Sequence, residues 1–357
     1  FKQHYLNEVI SYIKASTYHI PEEPPLNLIN LRNGIYNLET DTLEPHRHEY
    51  FFFNQLPVDY NPDADCPKIK KFLSEVAASE EDVKVLEEIA GYCLYRSYPI
   101  HKTLMLVGEG ANGKSTFLNL IRRFLGIENV SGVSLQNLES NRFATASLFG
   151  KLANIYPDLT DKALTKTGVF KMLTGGDLIE AEKKFRDSFK FVNYAKLLFS
   201  CNKLPSTFDD TEAFFRRWII LTFPNKFEGE KCNPNILDEI TTPEELSGFL
   251  NVAIKALKRL LKNRRFTLSP VTEEIREDYI RKSDPVKAFC MDMLIQDTES
   301  WVSKQELYSA FTEYCRKMKL PPVTQRTFFQ NIHQHVVVAD YRAKIGGKRV
   351  RSLKGIK

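Results

Sequence analysis

Apolar positions change their spacing several times along this chain, and each change marks an element. Between residues 67 and 97 they recur at helical intervals. Ile69, Phe72, Leu73 and Val76 predict one helix, and Val83, Leu86, Ile89 and Ala90 a second. From about residue 99 short unbroken apolar runs take over and alternate with helical patterns. Thr103–Val107, Leu152–Tyr156, Ala195–Asn202 and Ile219–Phe223 read as buried strands, while Phe117, Leu118, Leu120, Ile121 and Phe124 form the apolar side of a helix. Strand and helix in alternation predict α/β layering. Within this stretch Ile179–Val192 reads as a hairpin with Lys183, Lys184, Phe185 and Arg186 at its tip. A long helix follows Thr241, with Leu246, Phe249, Leu250, Ala253, Ile254, Leu257 and Leu261 on one side. Thr242 and Glu245 offer a capping box at its start, with Pro243 at the first helical position.

Ser283-Asp-Pro285 reads as a boundary. Beyond it the pattern predicts helices over 286–294, 304–318 and 324–335, then strands over 336–341 and 348–353 joined by a turn at Ile345-Gly-Gly347. That order fits a small winged-helix domain, in which the third helix enters a major groove and the hairpin meets backbone phosphates. Ahead of the first helices, residues 1–66 are rich in Pro, Asn and aromatics, with short strand-like pieces such as Gly34–Asn37. The plan is therefore four parts: a mainly helical 1–98, an α/β core over 99–230, a helical lid or linker over 231–284, and a winged helix over 285–357.

The strand at Thr103–Val107 runs into Gly108-Glu109-Gly110-Ala111-Asn112-Gly113-Lys114-Ser115, with Thr116 next. This fits the phosphate-loop pattern G-x-x-x-x-G-K-[ST] without mismatch and in the strand–loop–helix context the pattern needs. Backbone N–H groups of such a loop wrap a nucleotide's phosphates, and the helix points its positive end at them. Lys114 would neutralise the β/γ oxygens of ATP and Ser115 would hold Mg2+. The same glycines also spell G-x-G-x-x-G, but that dinucleotide fingerprint does not require Lys-Ser, and it wants an acid ending the next strand. Glu128 has nearly the right spacing but follows Gly126 in a predicted loop.

A nucleotide hydrolase also needs an acid at the end of a neighbouring strand. Asp158 follows the 152–156 strand after Pro157, and Asp161 lies one turn on. Asp158 takes the metal role in this reading, with Asp161 or an acid elsewhere as the base that activates water. The plainer alternative for both is a solvated loop acid. Asn202, at the tip of the 195–202 strand, becomes a sensor of the γ-phosphate in this company; alone, before Leu204-Pro205, it would be a turn residue. Arg216 and Arg217 suit stabilisation of a transferring phosphoryl group from a neighbouring subunit, or equally a surface salt bridge.

Charge adds a partner. The net charge is +5, and residues 321–357 carry eight Lys/Arg against one acid, or +7, so the first 320 residues sum to 5 − 7 = −2. Arg342, Lys344, Lys348, Arg349 and Arg351 lie on or beside the predicted wing, where phosphate contacts with DNA would be made. A basic tail for protein or RNA is the alternative. Two lysines, an aromatic and an arginine at the 179–192 hairpin tip can grip a nucleic-acid backbone and stack on a base; an isolated hairpin of this kind would be a solvated charged turn. Hydrophobic residues make up 43% and charged residues 27% of the chain, no apolar run approaches a membrane span, and no secretory signal is visible. The six scattered cysteines contain no C-x-x-C and are expected to be reduced thiols of a cytoplasmic protein. The His46/His48 and His333/His335 pairs lack a second ligand pair for zinc. The chain starts at Phe1 without a Met, as expected of a fragment.

The set Gly108–Thr116, Lys151–Asp161, Phe170–Asp177, Ala195–Pro205 and Phe214–Trp218 resembles superfamily 3 helicases of the phage/plasmid and poxvirus primase–helicase type. Asn33–Asn37 and Gly91-Tyr92 look like the helical domain ahead of the ATPase in that family, and Trp301–Tyr308 with the basic hairpin like its C-terminal winged helix. The resemblance implies an AAA+-type ATPase that assembles as a ring, usually a hexamer. ATP would bind between subunits, with Lys114, Ser115, Asp158 and Asn202 on one side and Arg216 or Arg217 reaching in from the neighbour. The 179–192 hairpin would line the channel and carry DNA, and a primase domain often precedes the helical segment in such proteins. Many relatives have two adjacent acids, or a Glu, where this chain has Pro157-Asp158, which leaves the catalytic base open. The expected activity is ATP-driven DNA unwinding in the replication of a virus, phage or plasmid. A DNA-binding initiator that uses ATP only to assemble is the alternative.

Overall fold

The structure is a computed structural model and describes residues 3–16, 23–161, 164, 166–207, 209, 211–229, 232–345 and 348–357. In chain order its elements are α1 (Gln3–Ser16), β1 (Leu28–Leu31), β2 (Gly34–Asn37), β3 (Thr42–Glu44), α2 (Pro67–Val76), α3 (Glu80–Leu94), β4 (Thr103–Val107), α4 (Lys114–Leu125), β5 (Val130–Ser131), α5 (Leu135–Ser140), β6 (Ala153–Tyr156), α6 (Gly168–Gly175), β7 (Leu178–Ala181), β8 (Phe189–Val192), β9 (Lys196–Cys201), α7 (Glu212–Phe215) and β10 (Trp218–Thr222). These are followed by α8 (Ile236–Glu239), α9 (Pro243–Asn263), α10 (Pro270–Ser283), α11 (Pro285–Met293), β11 (Gln296–Ser303), α12 (Lys304–Met318), α13 (Gln325–His335), β12 (Ala339–Ile345) and β13 (Lys348–Ile356). The chain folds as two compact units. The first comprises residues 1–159, 168–202 and 221–268, the second 160–167, 203–220 and 269–357.

The predicted apolar runs become the central sheet, of strand order β10–β4–β9–β6–β5. β4, β9, β6 and β5 are parallel, with Val107 opposite Cys201 and Tyr156 opposite Phe199. Strands buried on both faces need continuous apolar sequence rather than alternation, and every residue of β9 is buried. The fold is thus mixed α/β around a parallel sheet. In the same unit β1, β2 and β3 form a small antiparallel sheet.

Helices α2, α3 and α9 pack together. Thr242 Oγ1 accepts from the Glu245 N–H at 3.3 Å, as a capping residue should. The other half of the expected capping box is not made. The Glu245 carboxylate instead accepts the N–H groups of Lys68 and Ile69, at 3.2 and 3.0 Å, and so caps α2. Gly91 sets the α3–α9 spacing, because a Cβ there would lie 2.3 Å from the Ala253 carbonyl oxygen. Fully buried Glu88 ties the same helices: it receives Arg259 Nε at 2.9 Å and the Thr267 N–H and hydroxyl at 2.9 and 2.8 Å.

In the second unit α11, α12 and α13 enclose a core of Phe289, Phe311, Phe328 and Ile332, closed by Leu353 and Ile356 of β13. Each of α10 to α13 starts on a side-chain cap, from Ser269, Asp284, Ser303 and Thr324. The sheet order is β11–β13–β12, both pairs antiparallel. β11 was not anticipated from the sequence, and the turn expected at Gly346-Gly347 lies outside the described residues. Among the described residues no helix is long and apolar enough to cross a membrane. The six cysteines are free thiols, five of them buried.

Candidate nucleotide site and nucleic-acid surfaces

Three adjacent parallel strands end side by side, and this brings the sequence-predicted residues together. β4 delivers the loop 108–113, its neighbour β9 delivers Asn202, and β6 on the far side of β9 delivers Asp158. The Leu159 N–H still bonds the Ser200 carbonyl, at 2.7 Å, so Asp158 is held against β9 past the end of β6. Gly110 to Thr116, Asp158, Ser200, Cys201 and Asn202 line one cavity of about 440 Å³. Crevices beyond the carboxyl ends of parallel strands are where open α/β sheets bind ligands.

The loop is held from both sides. Gly113 has φ +87°, a left-handed value, and a Cβ on it would sit 2.6 Å from Val76 Cγ1. Asn112 is buried; its Nδ2 donates to the Phe223 carbonyl at 3.2 Å, and the Phe227 N–H donates to the Ala111 carbonyl at 2.7 Å. Segment 223–227 therefore straps the loop. Lys226 pairs with Glu109 at 2.6 Å on the exposed side.

Lys114 is only 7% exposed. Its ammonium donates to the carbonyls of Gly108 and Glu109, at 2.6 and 3.1 Å, and to Asn112 Oδ1 at 2.9 Å. Burial pulls it below the usual lysine range, and the negative charge of Asp158 works against that. A cation whose partners are neutral acceptors, at the mouth of a cavity, suits a phosphate. Ser115 and Asp158 are exposed. They give one hydroxyl and one carboxylate oxygen, the hard donors magnesium takes when phosphate oxygens supply the rest.

Sequence reasoning missed a second cavity, of about 210 Å³, that shares Ala111, Gly113 and Thr116 with the first. Phe72, Glu75, Phe227, Cys232, Asn233 and Ile236 form its other walls. They come from α2, the strap, and the segment that leads into and opens α8, and no local pattern joins them. The face is apolar with polar edges, which suits a nucleobase.

Arg216 and Arg217 lie in the second unit, at the end of α7. Arg216 is exposed, whereas Arg217 is 7% exposed and its guanidinium donates to the Ala213 carbonyl. Asp161 is exposed and falls in the second unit. The hairpin is β7–β8, antiparallel, with Ile179 opposite Phe191. Lys183, Lys184, Phe185 and Arg186 are all exposed at its tip, Phe185 at 98% and with φ +61°. Lys183 Nζ stands 5.5 Å from the Phe189 ring. On the other hairpin Arg342 faces Arg351 and Lys344 faces Arg349 directly across β12–β13, all four exposed. Like charges in register repel, so an anion is the natural occupant. Lys348 opens β13, and its side chain lies outside the described residues.

Known proteins match along most of the chain. The model of the D5 N terminal like family matches residues 2–77, and the Poxvirus D5 protein-like model matches residues 281–346. Between them, a family of unknown function (DUF5906) matches residues 106–217, which include the phosphate loop, Asp158, Asn202 and both arginines. The "Putative helicase L207/L206" of Acanthamoeba polyphaga mimivirus is 24% identical over 338 residues, 86% of this chain and 35% of that protein. The "Putative helicase 184R" of Invertebrate iridescent virus 6 is 25% identical over 244 residues, 61% of this chain and 24% of that protein. The chain resembles the D5-type viral primase–helicases. This is the resemblance the motifs carried. The chain spans about a third or less of the length of these relatives. Among solved structures, the apo NrS-1 C terminal region has a TM-score of 0.53 at 15% identity, with 99% of this chain and 90% of that one covered. A second form, residues 305–718 of NrS-1, gives 0.53 at 14%. At this identity the likeness speaks for the fold.

Proposed function

We propose that this chain is the ATP-driven DNA helicase portion of a viral or mobile-element replication protein. The helicase-named relatives and the D5-like matches support a helicase or replication role. The observation that carries the finer reading is the convergence of Lys114, Ser115, Asp158 and Asn202 on one cavity at the carboxyl edge of a parallel sheet. Backbone N–H groups of residues 110–114 and the Lys114 ammonium would cradle the triphosphate of ATP. Ser115 and Asp158 would hold magnesium, which supplies charge neutralisation at the phosphates. Asn202 would orient water at the last phosphate. The base would lie in the cavity beside Phe72 and Phe227.

In this reading the core is of AAA+ type, and six copies close into a ring with each ATP between neighbours. Arg216 is the arginine that reaches across, because it is exposed; buried Arg217 shapes its own segment. The β7–β8 hairpin would grip DNA in the channel through Lys183, Lys184, Phe185 and Arg186. Three helices with the β11–β13–β12 sheet would act as a winged helix, with Arg342, Lys344, Lys348, Arg349 and Arg351 toward phosphates. A primase domain ahead of this segment is part of the same proposal.

The test is DNA-stimulated ATP hydrolysis. Lys183→Ala with Lys184→Ala is expected to keep basal hydrolysis and lose both the stimulation and strand displacement. Full unwinding by that double variant would refute the hairpin's role. ATP-dependent DNA binding without displacement under any loading condition would instead point to an initiator.

A further inference from the structure

The strands that end at the phosphate loop begin at a different cavity. It measures about 560 Å³ and lies at the amino ends of the same three strands of the first unit. Arg96 to Pro99 and His101 lead into β4, Leu148 to Gly150 into β6, and Asn193 and Tyr194 into β9. β9 thus runs from Tyr194 at one cavity to Asn202 at the other. Arg96 and Lys190 bring cationic side chains to the lining, and Glu23 is its one acid among the described residues. The Arg96 guanidinium is half-buried and donates to the carbonyls of Pro24, Pro25 and Leu28, at 2.9, 2.5 and 3.3 Å. All three are neutral; the guanidinium also stands 5.2 Å from the centre of the Phe52 ring and feels the charge of Glu23.

Phenylalanines run in a ladder along this cavity to the hairpin. Phe51 contacts Phe53 at 5.2 Å between ring centres, Phe53 contacts Phe149 at 5.3 Å, and Phe149 contacts Phe189 and Phe191 of β8 at 5.2 and 5.6 Å. Phe51, Phe53 and Phe149 are 50%, 49% and 37% exposed. Lys190 stands opposite Glu180 across the hairpin, so the excess of positive charge lies at the exposed tip, in Lys183, Lys184 and Arg186. Half-exposed rings that lead to such a tip suit a polyanion that carries flat apolar faces. Single-stranded nucleic acid offers both features, because every base has a face that stacks and every nucleotide a phosphate.

We infer that Phe51, Phe53 and Phe149, with Arg96 and Lys190, form a stacking track for unpaired bases of the DNA strand that the hairpin tip holds. The inference rests on the hairpin's proposed role and extends it: the tip grips backbone, and the ladder at its base takes bases.

The test measures binding of a fluorescein-labelled oligo-dT strand by anisotropy, without nucleotide, across a salt series. Phe53→Leu keeps an apolar side chain and removes the ring; affinity is expected to fall roughly 5- to 150-fold, and Phe53→Trp to keep it. Lys190→Ala is expected to lower the salt slope by about 1. On the unaltered protein, photocrosslinking with 5-iodo-deoxyuridine is expected to mark the peptides that hold Phe51, Phe53 or Phe149. Wild-type affinity of Phe53→Leu, or crosslinks confined to the hairpin tip, would overturn the track while leaving the hairpin reading intact. If Lys183→Ala with Lys184→Ala also binds as wild type, the hairpin reading itself fails. A change in sedimenting mass of Phe53→Leu with unchanged affinity would mean the ladder faces another copy of the chain, and would overturn the inference.

Discussion

Replacing Gly91 with Ala sets two physical effects against each other. Gly91 lies inside α3, where Ala is favoured over Gly by about 0.8–1 kcal/mol of helix propensity, so local preference alone predicts a more stable protein. Packing predicts the reverse. The added Cβ would stand 2.3 Å from the Ala253 carbonyl oxygen, 2.8 Å from the Leu257 nitrogen and 3.0 Å from the Leu257 Cβ. Two of these three are backbone, so no rotamer change relieves them. Ordinary contact begins at 3.4 Å, so α3 and α9 must part by 3.4 − 2.3, or roughly 1 Å, at this point. Parting them loosens buried Ile254 and Leu257 and pulls on the Glu88–Arg259 pair. Overpacking of this kind costs about 1–3 kcal/mol, more where backbone must move. Because backbone must move here, the upper part of that range, about 2–3 kcal/mol, applies, and the net after propensity is a loss of about 1–2 kcal/mol. Thermal and urea melts followed by far-ultraviolet circular dichroism measure it. Gly168→Ala is the control, since a Cβ there meets nothing within 4 Å. A Gly91→Ala variant as stable as the parent, or more so, would refute the close approach of α3 to α9.

Two further predictions concern charge. Lys196 is fully buried under the Tyr92 and Tyr98 rings and donates to the carbonyls of Tyr95 and Tyr194. Burial pulls its ammonium down to about 7. Its folded value lies below its unfolded value, so the unfolded chain holds more protons between the two, and this group's contribution to stability rises as pH climbs from about 7 towards 10. Each pH unit in that window is worth up to about 1.4 kcal/mol. Lys196→Met should flatten the rise in melting temperature between neutral and alkaline pH, and equal slopes for the two proteins would contradict it. Arg216→Ala should bind ATP normally and lose about 10³-fold or more in hydrolysis, with activity returning when it is mixed with Lys114→Ala. Arg217→Ala should instead lower the melting temperature, and failure of the mixture to recover would count against an arginine supplied by a neighbour.

Much of the candidate site was legible because its chemistry sits at strand ends that local pattern marks well. Thr103–Val107 is a strand with the predicted bounds, and the parallel order β4–β9–β6 places Gly108, Asn202 and Asp158 together as their spacing suggested. The hairpin was legible from the charged tip between two alternating runs. What escaped depends on distant partners. Helix α6 begins where the Glu139 carboxylate accepts the N–H groups of Val169 and Phe170, at 3.3 and 2.6 Å, a cap supplied from about 30 residues upstream. β11 is polar and bulged between Asp297 and Trp301, so it lacks both strand signatures and exists by pairing with β13. The cavity beside the phosphate loop draws Phe72 from a helix whose periodicity explains that residue as core. Spacing gives Arg216 and Arg217 the same standing; that one is exposed and the other buried depends on packing no local pattern shows.

In the function proposed above, ATP hydrolysis at Lys114 drives this chain along DNA. Displacement of a labelled strand from forked DNA, with ATP and magnesium, compares the unaltered chain with Lys114→Ala most directly. Displacement is expected of the former, and none of the latter although both bind the fork. Displacement by Lys114→Ala at the parent rate, or none by either while the parent hydrolyses ATP on DNA, would contradict it.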